Sequence, residues 1–357
     1  VQWKVRRRAN EGSLTGFPPE ALSQNVHPVC AERFPLRNTP NTTGMNRHDW
    51  LSRIAAPALV AGFFTPLAVR AATTRLRIAT PPITVSAQPY FARANGLFAK
   101  AGIDADISFL PSGAAIAAAV VAGSLDIGDS NLISLATAHD RGVPIVVIAP
   151  DATFQSDHAA VLLVTTKQSP LRTAKDLEGK TVAVNGLKNL PHIATMAWID
   201  KNGGDSSAVK FIEIPIPATQ AALSSGRVDA AILNEPFLSA ALQADARVFG
   251  NCYEAIAKDF TYGAFVATQQ WASDHPDLVR AFRSIVYESS RWANTHVAAA
   301  SEILMRDAKL DVSALKNHDA YAEKFDPSLM QPVIDASAKY GVIKASFPVS
   351  EMVARPL

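Results

Sequence analysis

The chain states one structural pattern twice. Residues 75–80 (RLRIAT) predict a strand, and the loop PPITVSAQ leads from it into a helical stretch, PYFARANGLFAKAG. The strand ADISFL, the helix GAAIAAAVVAG and the strand LDIGDS follow. From residue 181 the order returns: strand TVAVNG, loop LKNLP, helix HIATMAWIDKNGG, strand VKFIEI, helix ATQAALSSG and strand VDAAILNEP. Both passes place a glycine and then an aspartate ahead of the last strand, as Gly123 and Asp126, then Gly226 and Asp229. Glycine at that point suits a left-handed helix cap. Self-similarity of this kind marks a repeated supersecondary unit.

Strand–helix–strand–helix–strand predicts a mostly parallel sheet with right-handed crossovers and flanking helices. Such sheets bind ligands at the carboxyl ends of their strands, where loops run into helix N-termini. Two units therefore predict two α/β lobes whose loop edges face each other across a cleft. The strands at residues 159–167 and 262–268 flank the second unit and are the expected double hinge. This reading assigns residues 72–165 and 266–357 to lobe I, and residues 166–265 to lobe II. Pro276 and Asp277 mark the start of one of the helices in the C-terminal third.

Composition fits that picture. With 357 residues the chain exceeds one ordinary domain, and 48% hydrophobic against 18% charged residues is globular. A net charge of +2 lacks the basic excess of a nucleic-acid binder. Cys30 and Cys252 lie in no CxxC or Cys/His spacing, so neither a metal site nor a redox cofactor is expected.

The first 71 residues differ from the rest. Residues 1–44 are rich in Arg, Asn and Pro, without an apolar period, and read as a disordered upstream segment that is non-native or misassigned. Met45 then opens an export signal over residues 45–71: a basic MNRHDWLSR, an apolar stretch over residues 54–69, and Val69 and Ala71 before a cleavage point. Two prolines, Pro57 and Pro66, and a length below the ~20 residues of a bilayer span argue against an anchor. The mature chain is expected to begin near residue 72, in the periplasm, with Cys252 lacking a disulfide partner. No cysteine closes the apolar stretch, so no lipid anchor is expected either.

The stretches NGLFAKAGIDADI, AAVVAGSLDIGDSN, DLEGKTVAVNG, ALSSGRVDAAILNEPF and HPDLVRAF stand in one order between residues 75 and 290. Together they resemble the substrate-binding proteins of nitrate/sulfonate/taurine and thiamin-pyrimidine ABC importers. The resemblance implies a two-lobe periplasmic binding protein of the Venus-flytrap kind (type II), each lobe a mostly parallel sheet flanked by helices. It also implies no catalysis, and delivery of a small molecule to a membrane permease with its ATPase; the chain itself is expected to be a monomer.

Binding across such a cleft needs polar groups on loops at helix N-termini, where orphan N–H groups favour an anion or a polar acceptor. Thr84, Ser86 and Gln88 follow the first strand, and Ser112-Gly113 opens the second helix. Ser130 and Asn131 end the third strand, a position at which the resemblance implies ligand contacts, while Asp129 reads as a cap or an inter-loop partner. In lobe II the matching loop offers Asn185, Lys188, Asn189 and His192, with Pro191 at the helix start. Two leucines there suggest a ligand with an apolar portion, an aromatic or alkyl acid or a pyrimidine, rather than bare nitrate. Glu235 is expected to present its carboxylate to the far side of the cleft, or to tune closure between lobes. Phe154 and Tyr262, near the hinges, are further candidates for stacking on a planar ligand. Two rivals stand beside this reading. One is a desulfinase-like or pyrimidine-synthase-like enzyme, which lacks a cysteine in the cleft loops. The other is a periplasmic ligand sensor.

Overall fold

A computed structural model describes residues 73–313, 315 and 320–354. The expected upstream segment, export signal and cleavage point lie outside the described residues. Along the chain, β1 (Thr74–Thr80) leads to α1 (Gln88–Ala94), the short α2 (Leu97–Lys100), β2 (Ile103–Phe109), α3 (Gly113–Val121), β3 (Ile127–Asn131), α4 (Leu132–Asp140) and β4 (Ile145–Pro150). After β5 (Ala152–Gln155) come β6 (Val161–Thr166), β7 (Thr181–Val184), α5 (Leu190–Lys201), β8 (Lys210–Glu213), α6 (Ile216–Ser224), β9 (Ala230–Asn234), α7 (Phe237–Gln243) and β10 (Ala246–Gly250). The chain returns through β11 (Asp259–Thr261) and β12 (Gly263–Thr268). It ends in α8 (Gln269–Asp274), α9 (Pro276–Thr295), α10 (Val297–Ile303), β13 (Ala320–Tyr321) and α11 (Pro327–Lys339).

Among the described residues the strands form two five-stranded sheets, ordered β2-β1-β3-β12-β4 and β10-β6-β9-β7-β8, and a three-stranded one, β11-β5-β13. The repeat read in the sequence is the architecture. In each lobe the first strand of the unit lies between the second and third, parallel to both: β1 between β2 and β3, β7 between β8 and β9. Each third strand then takes an antiparallel neighbour from the other half of the chain, β12 beside β3 and β6 beside β9.

The repeated Gly and Asp have matching jobs. Gly123 and Gly226 both take φ +71°, which an L side chain adopts only at a cost, and so each ends its helix in a left-handed turn. Asp126 and Asp229 then fasten that turn to the first strand. The Arg77 N–H donates to Asp126 Oδ2 at 2.7 Å, and the Thr181 N–H donates to Asp229 Oδ2 at 2.8 Å. In the first lobe the Arg77 guanidinium adds an ion pair to Asp126 at 2.6 Å.

Helix α9 begins at Pro276, as the sequence predicts, and buries Val279, Phe282, Ile285, Val286 and Ala293 along one face. Phe282 meets Phe265 of β12 edge-on, with ring centroids 5.4 Å apart, so the returning chain is locked onto the first sheet.

The crossings lie elsewhere than the sequence suggests. Residue 165 falls inside β6, which is a strand of the second sheet, and residue 265 falls inside β12, a strand of the first. The chain passes between sheets over residues 151–160 and 251–262. There β5 and β11 pair antiparallel, Phe260 opposite Phe154. An apolar run fits a sheet strand and a hinge equally well, and only the pairing partner distinguishes them.

Candidate functional site

The carboxyl ends of the parallel strands converge, as the general rule for α/β sheets requires. They enclose a cavity of about 50 Å³. Lobe I contributes Pro81 and Ile83 after β1, Gly113 at the start of α3, Asp129, Ser130 and Asn131 at the end of β3, and Asp151 after β4. Lobe II contributes Asn185 after β7, Leu190 and Pro191 at the start of α5, and Asn234 at the end of β9. Tyr253 and Tyr262 arrive on the returning crossing. Asn131 and Asn234 occupy equivalent places in the two lobes: each ends the third strand and faces the antiparallel strand, opposite Gly263 and Val161.

Hydrogen bonds join the lobes beside the cavity. The Leu190 N–H of α5 donates to Asn131 Oδ1 at 3.3 Å, and the same oxygen caps α4 by accepting from the Ser134 N–H at 3.0 Å. The Thr84 N–H donates to the Glu235 carbonyl at 3.4 Å. Behind the cavity Asp151 ties both crossings together, since its Oδ1 accepts from the Ala152 N–H at 2.6 Å and the Gly263 N–H at 2.8 Å. Phe154, Tyr253, Phe260 and Tyr262 pack there as one aromatic cluster, with ring centroids 5.0–6.1 Å apart.

Burial shapes the electrostatics. Asp129 is 2% exposed and accepts from Ser86 Oγ at 2.8 Å, yet burial outweighs that bond and pushes its carboxyl up to about 7. Burial also pushes the Tyr253 phenol well above its ordinary range, and the nearby Cys252 and Asp151 add to the shift. His192 is driven down to about 4, first by burial and then by Lys188, so its ring is neutral near pH 7.

Of the residues expected to meet a ligand, Ser130, Asn131 and Asn185 line the cavity. The others serve the walls. Gln88 Nε2 donates to the Asp151 carbonyl at 2.6 Å, and Ser112 caps α3 through the Ala115 N–H at 3.3 Å. Thr84 lies over a separate hollow beneath Tyr321, whose hydroxyl donates to its carbonyl at 3.0 Å. Asn189 caps α5 and donates to Asn185 Oδ1 at 2.9 Å, which orients that side chain. His192 Nδ1 accepts from the Lys188 N–H at 2.8 Å while its ring packs on Phe211. Lys188 lines an outer groove with Leu187.

The Glu235 carboxylate does not face the cleft. It turns onto its own helix, accepting from Ser239 Oγ at 2.7 Å and from the Ser239 N–H at 3.0 Å, and burial raises its pKa. Asn234, one residue earlier, lines the cavity instead. Phe154 is fully buried in the aromatic cluster behind it. Asp151 and Tyr253 line the cavity without having been expected there, while Asp129, read as a cap or an inter-loop partner, accepts from Ser86 of the first loop and also lines the cavity. Asp151 and Tyr253 follow the ends of β4 and β10, and that position was the available signal.

The profile of the family described as NMT1/THI5 like matches residues 83–300. The taurine-binding periplasmic protein of Escherichia coli (strain K12) is 29% identical over 200 residues, 55% of this chain and 60% of that protein. The chain thus spans about 60% of the length of that curated relative. Among solved structures, the alkanesulfonate-binding protein SsuA from Xanthomonas axonopodis pv. citri, bound to MOPS, superposes with a TM-score of 0.66. It shares 18% identity, over 78% of this chain and 98% of that one. The periplasmic nitrate-binding protein NrtA from Synechocystis PCC 6803 superposes with a TM-score of 0.63 at 16% identity, over 79% and 86% of the two chains. These likenesses carry the fold.

Proposed function

Because the chain belongs to the NMT1/THI5-like family, we propose that it captures a small organic solute between its lobes and hands it to an ABC importer. One observation carries this reading. The cavity is walled by equivalent strand ends of two lobes that are joined by two crossings and that, among the described residues, meet beside it through the Leu190–Asn131 and Thr84–Glu235 hydrogen bonds. A ligand held there contacts both lobes only when they are together, so its binding energy is available for closure. The paired β5 and β11 are the hinge in this account, and the cavity is too small to admit a solute without opening.

The names of the relatives point to taurine, sulfonates and nitrate as neighbouring cargo, and to the periplasm as the compartment. Export through the signal at residues 45–71, delivery to a permease with its ATPase, and a monomeric state belong to the same reading. Among the described residues no helix is long and apolar enough to cross a membrane. Catalysis by the cysteine finds no support, because Cys252 is fully buried and burial pushes its thiol upward, away from the thiolate a nucleophile needs.

A thermal-shift screen tests the reading. Sulfonates, aromatic carboxylates, pyrimidines and amines are titrated against the protein, and a true ligand raises the midpoint with concentration, by about 2.7 kcal/mol of stability at a hundredfold excess over Kd. Asn131→Ala in lobe I and Asn185→Ala in lobe II should each shrink that shift. Turnover of a bound compound, or a shift indifferent to both substitutions, would contradict the reading.

A further inference from the structure

We propose that Tyr321 is a positioning residue for lobe closure: its hydroxyl braces Thr84, the lobe I donor in a hydrogen-bonded joint to lobe II, and so sets how readily the lobes part. The role rests on the capture function above but is exercised from outside the solute cavity, since Tyr321 is not among the residues that line it.

The joint brings one residue to one carbonyl. Thr84 opens a short 3₁₀ turn, Thr84–Ser86, between β1 and α1, and is 3% exposed. Its N–H donates to the Glu235 carbonyl of lobe II at 3.4 Å, and its Oγ1 donates to the same oxygen at 3.5 Å. Both are longer than ordinary hydrogen bonds, whose range ends near ~3.2 Å. A small displacement of Thr84 therefore decides whether the joint holds. Glu235 is fixed on its own side, because its N–H donates to the Ala160 carbonyl at 3.0 Å and its carboxylate is engaged by Ser239. Thr84 is the adjustable partner.

Packing alone does not fix Thr84. A hollow of about 20 Å³ lies between it, Tyr321 and the side chains of Val297 and Ala300 on α10. Atoms that face a void lose the dispersion contacts that would hold them in place. The Thr84 carbonyl is held instead by hydrogen bonds, from the Ala87 N–H at 3.1 Å within its own turn and from the Tyr321 hydroxyl at 3.0 Å. The second of these is the polar tie from the turn to the body of lobe I.

The brace itself stands firmly. Tyr321 ends β13, and its backbone is stapled to α9 by the Asn294 side chain: the Tyr321 N–H donates to Asn294 Oδ1 and its carbonyl accepts from Asn294 Nδ2, both at 2.9 Å. Its ring meets Phe91 of α1 edge-on, with centroids 5.4 Å apart. Across the sheet Tyr321 stands opposite Ala152 of β5, and β5 pairs in turn with β11, so its strand belongs to the sheet that carries both crossings. One residue thus touches the crossing strand through its backbone and the joint through its hydroxyl. Bending at β5 reaches Thr84 by that route, and Thr84 in turn engages or releases Glu235.

Tyr321→Phe tests this on the whole chain, since it removes the hydroxyl and keeps the ring. Without added solute, hydrogen exchange of the Thr84 amide, followed by NMR, should quicken about fivefold, the change expected for one net hydrogen bond. The amides of the β5–β11 ladder should exchange as before. Spin labels at positions 100 and 210, one on each lobe, should show weight moving to longer separations. Asn294→Ala spares the hydroxyl but unseats β13; it should move both readouts the same way, and it carries the test if Tyr321→Phe does not fold. A role confined to stability would lower the melting midpoint and leave the distance distribution alone. Unchanged exchange at Thr84, or an unchanged distribution, overturns the proposal whatever the midpoint does. Neither readout needs a solute, so its failure is distinct from failure of the capture function, which the thermal-shift screen decides.

Discussion

Gly263→Ala should lower the melting midpoint by about 6–10 °C, from a loss of roughly 3 kcal/mol in a protein of this size. Gly263 opens β12, and it is clamped on both sides. Its N–H donates to Asp151 Oδ1 at 2.8 Å and its carbonyl accepts from the Asp151 N–H at 3.2 Å. A Cβ there would stand 2.5 Å from the Ser130 carbonyl oxygen and 3.0 Å from the Ser130 carbonyl carbon. Those atoms belong to a paired strand and cannot swing aside, so relief must come from separating β3 and β12 at the mouth of the cavity. Gly113→Ala is the instructive contrast. Its first clash is with Ser130 Oγ at 2.4 Å, the end of a side chain that can rotate. We expect it to cost less stability than Gly263→Ala while still disturbing ligand affinity. Calorimetric melting of both variants checks the ranking, and a midpoint within a degree of the parent for Gly263→Ala would mean that the cavity wall is looser than described.

The second large effect is in the dependence of stability on pH. Asp129 holds its proton up to about 7 in the fold, against an ordinary value of 3.8. Between these values the native state binds more protons than the unfolded chain, so this residue's contribution to stability falls as pH rises. The slope is up to about 1.4 kcal/mol per pH unit. His192 works in the opposite direction. Its pKa is lowered from 6.5 to about 4, so the unfolded chain binds the extra proton and stability rises with pH across that window. The two trends offset each other between pH 4 and 6.5 in the parent protein, so the readable quantity is a difference. Asp129→Asn should gain stability relative to the parent steadily from pH 4.5 to 7 and then hold a constant advantage. A difference that stays flat over that range, in denaturant titrations at half-unit steps, would place the Asp129 carboxyl in an ordinary environment.

Much of the architecture was legible because the evidence for it is local and repeated. The Gly123/Asp126 and Gly226/Asp229 turns can be read from residue type alone, since few residues tolerate φ near +71° and few can accept from an N–H of the neighbouring strand. Ser130, Asn131 and Asn185 were legible because they sit at strand ends in that repeat. What escaped was long-range. Asp151 and Tyr253 reach the cavity on the crossings, and no period in the sequence states that β5 will pair with β11. The placement of Glu235 failed by one residue. Asn234, the last residue of the strand, takes the cleft position, while the carboxylate of Glu235, just past it, is captured by Ser239 four residues on, in the first turn of a helix. His192 was drawn away in the same manner by Phe211 and the Lys188 N–H.

The central claim is that one solute is gripped by both lobes at once, and the distance between the lobes tests it most directly. Spin labels on exposed Lys100 of lobe I and exposed Lys210 of lobe II report that distance by pulsed dipolar spectroscopy. The panel compound with the largest thermal shift should convert a broad distribution in the free protein into a narrower one at shorter separation, and Asn131→Ala should weaken the conversion. A distribution identical with and without saturating compound would contradict the account.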